Sequence, residues 1–379
     1  MSAARASLQR AALYAGGFLG PFGGGVVASV LPEIGAATGV SAGAAASTLT
    51  AYLGPFALTM LVSGTLGARW GRVRTVRTAY IAYTCASLAS ALAPTLGLLL
   101  ASRALQGVAN AFTTPLLLAA LAAIVPRARL GRALGLFGAM QAAGQTSAPL
   151  VGGLAAEVDW RWAFVVIAAA AAVLAVIGLP QQLTAPTGEP PPRLRDALRP
   201  DVLRIGVVAL LGWGALGGLN FLLAFRAEDV FGLTPTQRGL LLTGFGVAGI
   251  LTARRVGTLI DRIGARRTVL LGALAGAALV VVAGTAGLLW LVAAAWFVAG
   301  IASQCVLVGV NAAVLGSRGR NRGGAVSVVQ AFRFSGGAVA PLALTPLYAA
   351  APVASFVVPA LVLAVVAPLA MPRRDTAPG

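Results

Sequence analysis

The fold of this chain is decided by a basic stretch at residues 64–76, GTLGARWGRVRTV, and by its second copy at residues 257–269, GTLIDRIGARRTV. The copies agree at eight of thirteen positions and stand 193 residues apart. Each is a basic turn between two long apolar runs. Internal similarity at a fixed distance predicts a chain built from two related halves.

The composition places these halves in a lipid bilayer. The chain has 379 residues, of which 58% are hydrophobic and only 10% are charged, and its mean hydropathy is +0.89. That much apolar surface exceeds what a water-soluble core of ordinary composition can hide. The net charge of +18 comes from arginines that separate apolar runs instead of clustering on one face, so we expect no nucleic-acid partner.

The residues that carry chemistry argue against several other classes of protein. The two cysteines, Cys85 and Cys305, lie in different halves without CxxC spacing, and the chain has no histidine. We therefore expect no disulfide, no metal site and no cofactor. No nucleophile paired with a base and no phosphate-binding loop is found, so an enzyme or an ATP-driven pump is not expected.

Apolar runs predict twelve membrane-spanning helices, because about 20 helical residues cross a hydrocarbon core and the backbone must satisfy its own hydrogen bonds there. The predicted spans are 11–31, 44–66, 76–93, 96–124, 134–156, 162–179, 205–225, 240–259, 269–287, 288–315, 325–348 and 353–371. A polar, proline-rich segment separates the sixth span from the seventh. The expected architecture is an all-α integral membrane protein of two six-helix, pseudo-symmetric bundles, residues 1–179 and 205–379, joined by a cytoplasmic linker, 180–204.

The arginines also predict the orientation of the chain in the membrane. With the amino terminus inside, 23 of the 28 basic residues fall in inner segments, whereas the outer loops hold only Arg161, Arg226 and Arg238. The positive-inside rule then places both termini and the linker in the cytoplasm. We expect a monomeric, multi-pass protein of the plasma membrane, in contact with the lipid bilayer.

The two basic stretches resemble the cytoplasmic loops of the major facilitator superfamily, whose pattern is G-x-L-a-D-r-x-G-r-r. The matching residues are Gly64, Leu66, Arg69, Gly71 and Arg72 in the first copy and Gly257, Leu259, Asp261, Arg262, Gly264, Arg266 and Arg267 in the second. The resemblance implies the major facilitator fold, with both loops acting as gates that latch the halves on the cytoplasmic side. The first copy has Ala68 where the family usually has Asp, so we expect the latch to rest on the second copy.

Two further motifs are similar to those of the twelve-span drug:proton antiporter branch of that superfamily. The fourth span carries R-x-x-Q-G at Arg103, Gln106 and Gly107. The fifth span carries G-x-x-x-A-P-x-x-G-G at Gly144, Ala148, Pro149, Gly152 and Gly153, and DWRWAF follows at 159–164. The resemblance implies a secondary active transporter that works by alternating access and exports a small organic solute in exchange for protons. Small residues four apart also pack helices closely in any bundle, so a purely structural role for the fifth-span motif stays open.

Polar residues inside the apolar spans predict a central cavity. An unpaired arginine at a helix centre costs at least about 3 kcal/mol, so such residues usually face a cavity or a partner. Residues three or four apart share a helix face, which aligns several of these side chains into stripes. The predicted cavity residues are Arg103, Gln106, Asn110, Gln141, Gln145, Trp213, Asn220, Gln304, Asn311, Gln330 and Arg333. Hydrogen bonding between helices is the alternative role for each amide.

The acidic residues avoid the middle of the membrane. None of the ten carboxylates lies mid-span, and Glu33, just after Pro32 at the outer end of the first span, is the nearest candidate for a proton site. An ordinary solvated helix end is the alternative interpretation of Glu33. Buried arginines without a buried carboxylate make the cavity electropositive, which favours anionic or neutral solutes.

Three hypotheses of function follow from these patterns. The first is a proton-coupled exporter of a drug or metabolite, which the fifth-span motif favours. The second is an importer or facilitator of an anionic metabolite, which the intramembrane arginines favour. The third is a non-transporting membrane sensor, which would need a sizeable soluble output domain. We expect a small-molecule substrate and protons as partners.

Overall fold

In the computed structural model the described residues are 3–180, 198–317 and 322–373, and all regular secondary structure among them is helical. The first half contains α1 (Ala3–Gly25), α2 (Leu31–Thr38), α3 (Ala42–Ala45), α4 (Ser47–Trp70), α5 (Arg72–Ala91), α6 (Leu96–Ala111), α7 (Thr113–Ile124), α8 (Arg127–Ala156) and α9 (Arg161–Ile177). The second contains α10 (Pro200–Ala215), α11 (Asn220–Asp229), α12 (Pro235–Ile263), α13 (Ala265–Thr285), α14 (Leu289–Leu315), α15 (Arg322–Ala350) and α16 (Ala354–Ala370).

Each predicted span coincides with one helix or with consecutive helices. Seven helical stretches of the described chain are long and apolar enough to cross a membrane by length and composition: Ser7–Ser29, Ala42–Gly64, Leu96–Leu121, Pro200–Asp229, Pro235–Ile263, Ala265–Thr285 and Leu289–Leu315. Arg161–Ile177 and Ala354–Ala370 are shorter apolar helices. The protein is therefore an all-α integral membrane protein, as the composition predicted.

Four of the predicted spans are interrupted: the second at Ala46, between α3 and α4, and three others where their sequence disfavours a continuous helix. The first ends in a 3-10 turn, Val26–Ser29, after three consecutive glycines. The fourth divides at Phe112, three residues before Pro115, into α6 and α7. The seventh divides at a second 3-10 turn, Gly217–Leu219, between α10 and α11. Glycine and proline both lower the stability of helix interiors. The glycines explain the breaks in the first and seventh spans, and Pro115 explains the break in the fourth.

The repeated basic stretch forms the same turn twice. Gly71 joins α4 to α5 with φ +89°, and Gly264 joins α12 to α13 with φ +85°. Only glycine adopts this backbone conformation without a steric penalty. The shared glycine, 193 residues apart in the two copies, is therefore required by the geometry of the turn.

Helix packing repeats at the same distance. Gly107 on α6 approaches the Tyr52 carbonyl oxygen of α4 so closely that an added Cβ would lie 2.1 Å from it. Gly300 on α14 approaches the Phe245 carbonyl oxygen of α12 in the same way, at 2.0 Å. Both members of the second pair stand 193 residues after those of the first. The two halves thus share backbone-to-backbone contacts as well as sequence.

The halves pack on each other mainly through α8 against α12 and α4 against α15. We call the end that carries Glu33, Glu157 and Glu228 the acidic end, and the end that carries the turns at Gly71 and Gly264 the arginine-rich end. The division into 1–179, 180–204 and 205–379 stays a prediction. Residues 181–197 of the predicted linker lie outside the described residues, and α10 already begins at Pro200.

Candidate functional site

A small, partly open pocket lies in the second half beside the contact between the halves. Its wall combines apolar side chains with a few polar ones: Ala209, Gly212, Trp213, Ser303, Val306, Leu307, Val310, Gln330 and Arg333. Three of these, Trp213, Gln330 and Arg333, are predicted cavity residues. Ser303 was not predicted, because a lone serine inside an apolar run carries little sequence signal.

Arg333 on α15 is the charged group of this pocket. Its guanidinium carbon lies 3.9 Å from the centroid of the Trp213 ring and 5.0 Å from that of Phe334. Its Nη2 atom donates a long hydrogen bond of 3.4 Å to Oε1 of Gln145, which belongs to α8 of the other half. Gln145 thereby contacts the charged group of the pocket across the contact between the halves.

Arg103 on α6 lies elsewhere, and its predicted place on the cavity is corrected by the structure. The side chain is fully buried and donates from Nη1 to the carbonyl oxygen of Gly23 at 2.9 Å and to Oε1 of Gln106 at 2.8 Å. Its Nε donates to the Thr48 carbonyl oxygen at 3.5 Å. The guanidinium also lies over the Tyr52 ring, 4.3 Å from the centroid. Arg103 thus joins α6 to α1 and α4, which is the interhelical alternative.

The other residues of the fourth-span stripe are corrected in the same way. Gln106 is buried and its Nε2 donates to the Ser87 hydroxyl at 2.7 Å. Asn110 is buried and its Nδ2 donates to the Tyr52 hydroxyl at 2.8 Å. Helical spacing correctly put these side chains on one face, but that face points into the first half.

Four further predicted residues do not line the pocket at Arg333. Gln141 is half-buried on α8, and Gln304 on α14 lies beside Gly249 of α12. Asn220 and Asn311 each bury a side-chain oxygen that has no hydrogen-bond partner. The structure therefore assembles Gln145, Trp213, Gln330 and Arg333, and leaves these four apart.

At the acidic end an ion cluster connects the halves. Arg238 of α12 is only 1% exposed and forms an ion pair with Glu33 of α2 in the other half. It also pairs with Glu228 at 2.9 Å and donates from Nε to the Ser29 carbonyl oxygen at 3.2 Å. Glu33 is thus neither a cavity residue nor a simple solvated helix end. One feature of the sequence distinguishes Arg238: it is one of only three arginines in the predicted outer loops.

The fifth-span motif lies where α8 meets both α1 and α12. An added Cβ at Gly144 would lie 2.2 Å from the Phe18 carbonyl oxygen, and one at Gly152 would lie 2.1 Å from the Val26 carbonyl oxygen. Both contacts lie within the first half. At Gly153 it would lie 2.3 Å from the Pro235 carbonyl oxygen of the other half. Ala148 packs beside Gly25 of α1, and the carbonyl oxygen of Pro149 accepts a 2.7 Å hydrogen bond from the Ser29 hydroxyl. The motif therefore packs α8 within its own half on one face and across the halves on another.

More contacts between the halves run from the acidic end to the level of Gln145 and Arg333. The Thr50 hydroxyl donates to the Ala338 carbonyl oxygen at 2.6 Å, and the Thr236 backbone N–H donates to Oε1 of Glu157 at 3.2 Å. The Phe56 and Phe334 rings pack edge to face, with centroids 4.8 Å apart. These contacts close the molecule at the acidic end.

The predicted gate loops lie at the opposite end and are not latched to each other. Arg69, Asp261 and Arg262 are exposed, and within the described part of the chain Asp261 makes no ion pair. Arg266 points to the end of α16, where its Nη2 donates to the Pro368 carbonyl oxygen at 3.5 Å. The remaining loop residues, Gly64, Gly71, Arg72, Gly257 and Gly264, are partly buried. The Ala68 side chain lies outside the described residues.

These features define a class of protein: a helical membrane protein of two related halves, closed at one end, with a polar pocket between its ends. The Major Facilitator Superfamily profile matches residues 13–253 and 205–379. The chain belongs to this superfamily, as the sequence resemblance implied.

Curated relatives of the chain include transporters and resistance proteins. Puromycin resistance protein pur8 of Streptomyces alboniger is 33% identical over 240 residues, covering 62% of this chain and 44% of that protein. The uncharacterized MFS-type transporter Rv1250 of Mycobacterium tuberculosis is 27% identical over 277 residues, covering 56% and 47%. The chain spans less than half the length of these relatives.

Solved structures share the fold at low sequence identity. The human organic anion transporter MFSD10 has a TM-score of 0.70 at 17% identity, covering 96% of this chain and 99% of that one. An inward-facing, unoccupied bacterial homolog of human Spinster has a TM-score of 0.72 at 16% identity, covering 98% and 96%. These likenesses concern the fold alone.

Proposed function

We propose that the protein is a secondary active transporter that moves a small organic solute across the plasma membrane by alternating access. One observation carries the proposal: the halves are joined from the acidic end to the level of Gln145 and Arg333, whereas within the described residues Asp261 of the second gate loop makes no ion pair. A pocket that faces one end while the other end is closed is what alternating access requires. No catalytic role is proposed for any residue.

We assign the arginine-rich end to the cytoplasm, because 23 of the 28 arginines fall there by the predicted topology and basic loops stay inside. Both termini then lie in the cytoplasm. On this assignment the described conformation is inward-facing, and the acidic end forms the outer gate.

For the direction of transport we propose export coupled to protons. Two relatives support export by name, puromycin resistance protein pur8 and the multidrug resistance protein B homolog of Mycobacterium tuberculosis, which is 33% identical over 138 residues. The fifth-span motif supports it further, because it resembles that of the drug:proton antiporters. Its Gly153 lies in the contact between the halves that must open when the molecule faces outward.

Protons are proposed to act at Glu33 in the outer gate. Its carboxylate is paired with Arg238, which also faces Glu228 and lies near Glu157, with Asp229 beside Glu228. A proton on Glu33 removes the ionic part of its contact with Arg238. Loss of that charge would therefore weaken the closed gate and favour the outward-facing form.

Glu157 is a second carboxylate of the outer gate. Hydrogen bonds from Thr236, first from its hydroxyl and then from its backbone N–H, lower the pKa of Glu157 in the closed gate. A carboxyl with a lowered pKa contributes to closure above its open-state pKa and loses that contribution only as the pH falls through the lower, closed-state value. Near neutral pH Glu157 stays ionised in both states.

Flux into proteoliposomes tests the proposal. Purified protein is reconstituted, a pH gradient is imposed in either direction, and a panel of labelled organic solutes, including puromycin, is followed. We expect at least one solute to move against its own gradient when protons flow the opposite way. Flux that does not depend on the pH gradient would contradict proton coupling. The absence of flux with every solute would contradict transport.

Import or facilitated passage of an anionic metabolite is the second candidate, and the uncompensated Arg333 favours it. Both candidates use the same pocket and differ in the direction of flux. Sidedness separates them: an exporter loads solute from the arginine-rich end under a pH gradient, whereas a facilitator equilibrates solute without one. Nothing in the geometry favours a non-transporting sensor.

A further inference from the structure

We propose that the pocket at Arg333 binds the anionic head of a small organic acid, and that this head is the common feature of the transported solutes. The inference rests on the proposed transport function and names the substrate class of its pocket. It is argued from the surroundings of the Arg333 guanidinium. A binding measurement therefore tests it, whatever the direction or energy source of transport.

The guanidinium of Arg333 lacks a counter-charge. The side chain is only 8% exposed, yet among the described residues no carboxylate lies within 4.0 Å of it. Within the described part of the chain its Nε is buried without a hydrogen-bond partner, and the one hydrogen bond of Nη2 is the 3.4 Å contact with Gln145. A charge in the membrane interior is costly unless it is paired. The group that would complete this site is an anion.

Trp213 determines how such an anion can approach. The indole ring covers a face of the guanidinium at 3.9 Å, so the edges with their N–H donors remain for a ligand. A guanidinium edge matches the two oxygens of a carboxylate, and such charge-assisted pairs are about twice as strong as neutral hydrogen bonds. A carboxylate would therefore displace the neutral amide of Gln145 from Nη2.

That displacement links binding to the contact between the halves. Gln145 belongs to α8 and Arg333 to α15, so their hydrogen bond crosses from one half to the other. An anion that takes the place of Gln145 changes this contact at the level where the closed region ends. Solute binding can then shift the balance between conformations through its different affinity for each.

The rest of the pocket suits an apolar body attached to the anion. Ala209, Val306 and Val310 supply apolar wall, while Ser303 and Gln330 add hydrogen-bonding groups. An inorganic anion would leave that apolar wall unused. We therefore assign the pocket to carboxylates that carry an apolar group.

Matched acids and amides provide the test. Purified protein in detergent is titrated calorimetrically with benzoate and 2-naphthoate, and with benzamide and 2-naphthamide, which have similar shape but no charge. We expect each acid to bind at least tenfold more tightly than its amide. We also expect 2-naphthoate to bind more tightly than benzoate, because it fills more of the apolar wall.

Three variants locate the effect. Arg333→Gln should weaken acid binding at least tenfold and leave amide binding unchanged. Gln145→Glu keeps Arg333 but gives it an internal carboxylate, so it should also abolish acid binding, and it remains informative if Arg333→Gln fails to fold. Arg204→Gln, a change of an exposed arginine at the start of α10, should leave every affinity unchanged.

The outcomes separate this inference from the transport proposal. Equal affinities of acids and amides, or acid binding that survives both Arg333→Gln and Gln145→Glu, would overturn the anion site. Acid binding that depends on Arg333, found together with no flux in proteoliposomes, would support the site and contradict transport. Flux of neutral solutes alone, unaffected by Arg333→Gln, would support transport and contradict the anion site.

Discussion

Two arginines inside the membrane have opposite surroundings, although they look alike in the sequence. Arg103 is surrounded by acceptors on α1, α4 and its own helix, whereas Arg333 has a tryptophan face, one weak amide contact and an unpartnered Nε. Their spacing on a helix shows which neighbours share a face, but not which helix that face meets. The sequence therefore predicted both as cavity residues, and in the structure only Arg333 lines the pocket.

This contrast predicts that the two arginines fail in different ways when removed. Arg103→Gln removes the hydrogen bonds that the guanidinium donates to the Gly23 and Thr48 carbonyl oxygens, and a hydrogen bond of a charged group contributes about 1.5–3 kcal/mol. We expect a clear fall in the thermal unfolding midpoint of the purified protein. Arg333→Gln removes only the hydrogen bond to the Gln145 amide, so the unfolding midpoint of this variant should change little. Equal losses of stability would show that both arginines are structural.

A second prediction at the residue scale concerns the gate loops. On the proposed mechanism Asp261 is unpaired here because its end of the molecule is open, and it pairs when that end closes. Asp261→Asn should therefore slow transport more than Ala68→Asn, measured as initial flux in proteoliposomes. Equal, negligible effects would show that neither loop acts as the latch that the resemblance implies.

At the scale of elements, the sequence predicted the helices better than their interruptions. The twelve apolar runs coincide with helical segments, because length and hydropathy determine which segments can cross a bilayer. The break at Phe112 was missed, although Pro115 lies close to it. Hydropathy does not register such a break, since both sides of it are equally apolar.

The helix that carries the fifth-span motif provides a prediction about movement. Gly153→Ala would place a methyl group 2.3 Å from the Pro235 carbonyl oxygen of the other half, so it should destabilise the closed acidic end. We expect thiol reagents added from outside to label a cysteine introduced at Ser29 faster in this variant. Gly144→Ala is the matched control, since its clash with Phe18 is confined to the first half. Faster labelling in the control alone would refute the assignment of Gly153 to the moving contact.

At the scale of the whole molecule, the repeat at a distance of 193 residues is the feature the sequence predicted most fully. It reappears in the glycine turns and in the contacts of Gly107 and Gly300. What it could not predict is the difference between the ends, because the conformation depends on contacts between the halves, and those contacts join residues that do not belong to the repeat. Arg238 and Glu33 are the clearest example.

The outer gate makes a pH-dependent prediction for the whole molecule. Glu33→Gln imitates the protonated carboxyl and removes the ion pair with Arg238, so the outward-facing form should gain population at neutral pH. Accessibility of a cysteine introduced at Ser29, measured at one pH, should rise in this variant. Labelling rates at different pH values are compared only after division by the rate of a free thiol at the same pH, because the thiolate is the reacting form. A pH response unchanged by Glu33→Gln would place the proton-sensitive group elsewhere.

The central claim is that the acidic end must open during transport, and a reversible cross-link tests it most directly. An added Cβ at Gly43 would lie 2.6 Å from Cγ2 of Thr345 in the other half, so cysteines at both positions are within reach of a disulfide. The protein carrying Gly43→Cys and Thr345→Cys, with Cys85→Ser and Cys305→Ser, is assayed for flux before and after reduction. We predict that oxidation stops transport, that reduction restores it, and that either single variant is unaffected by oxidant. Equal flux through the oxidised and reduced double variant, with the disulfide shown to be complete, would contradict the account.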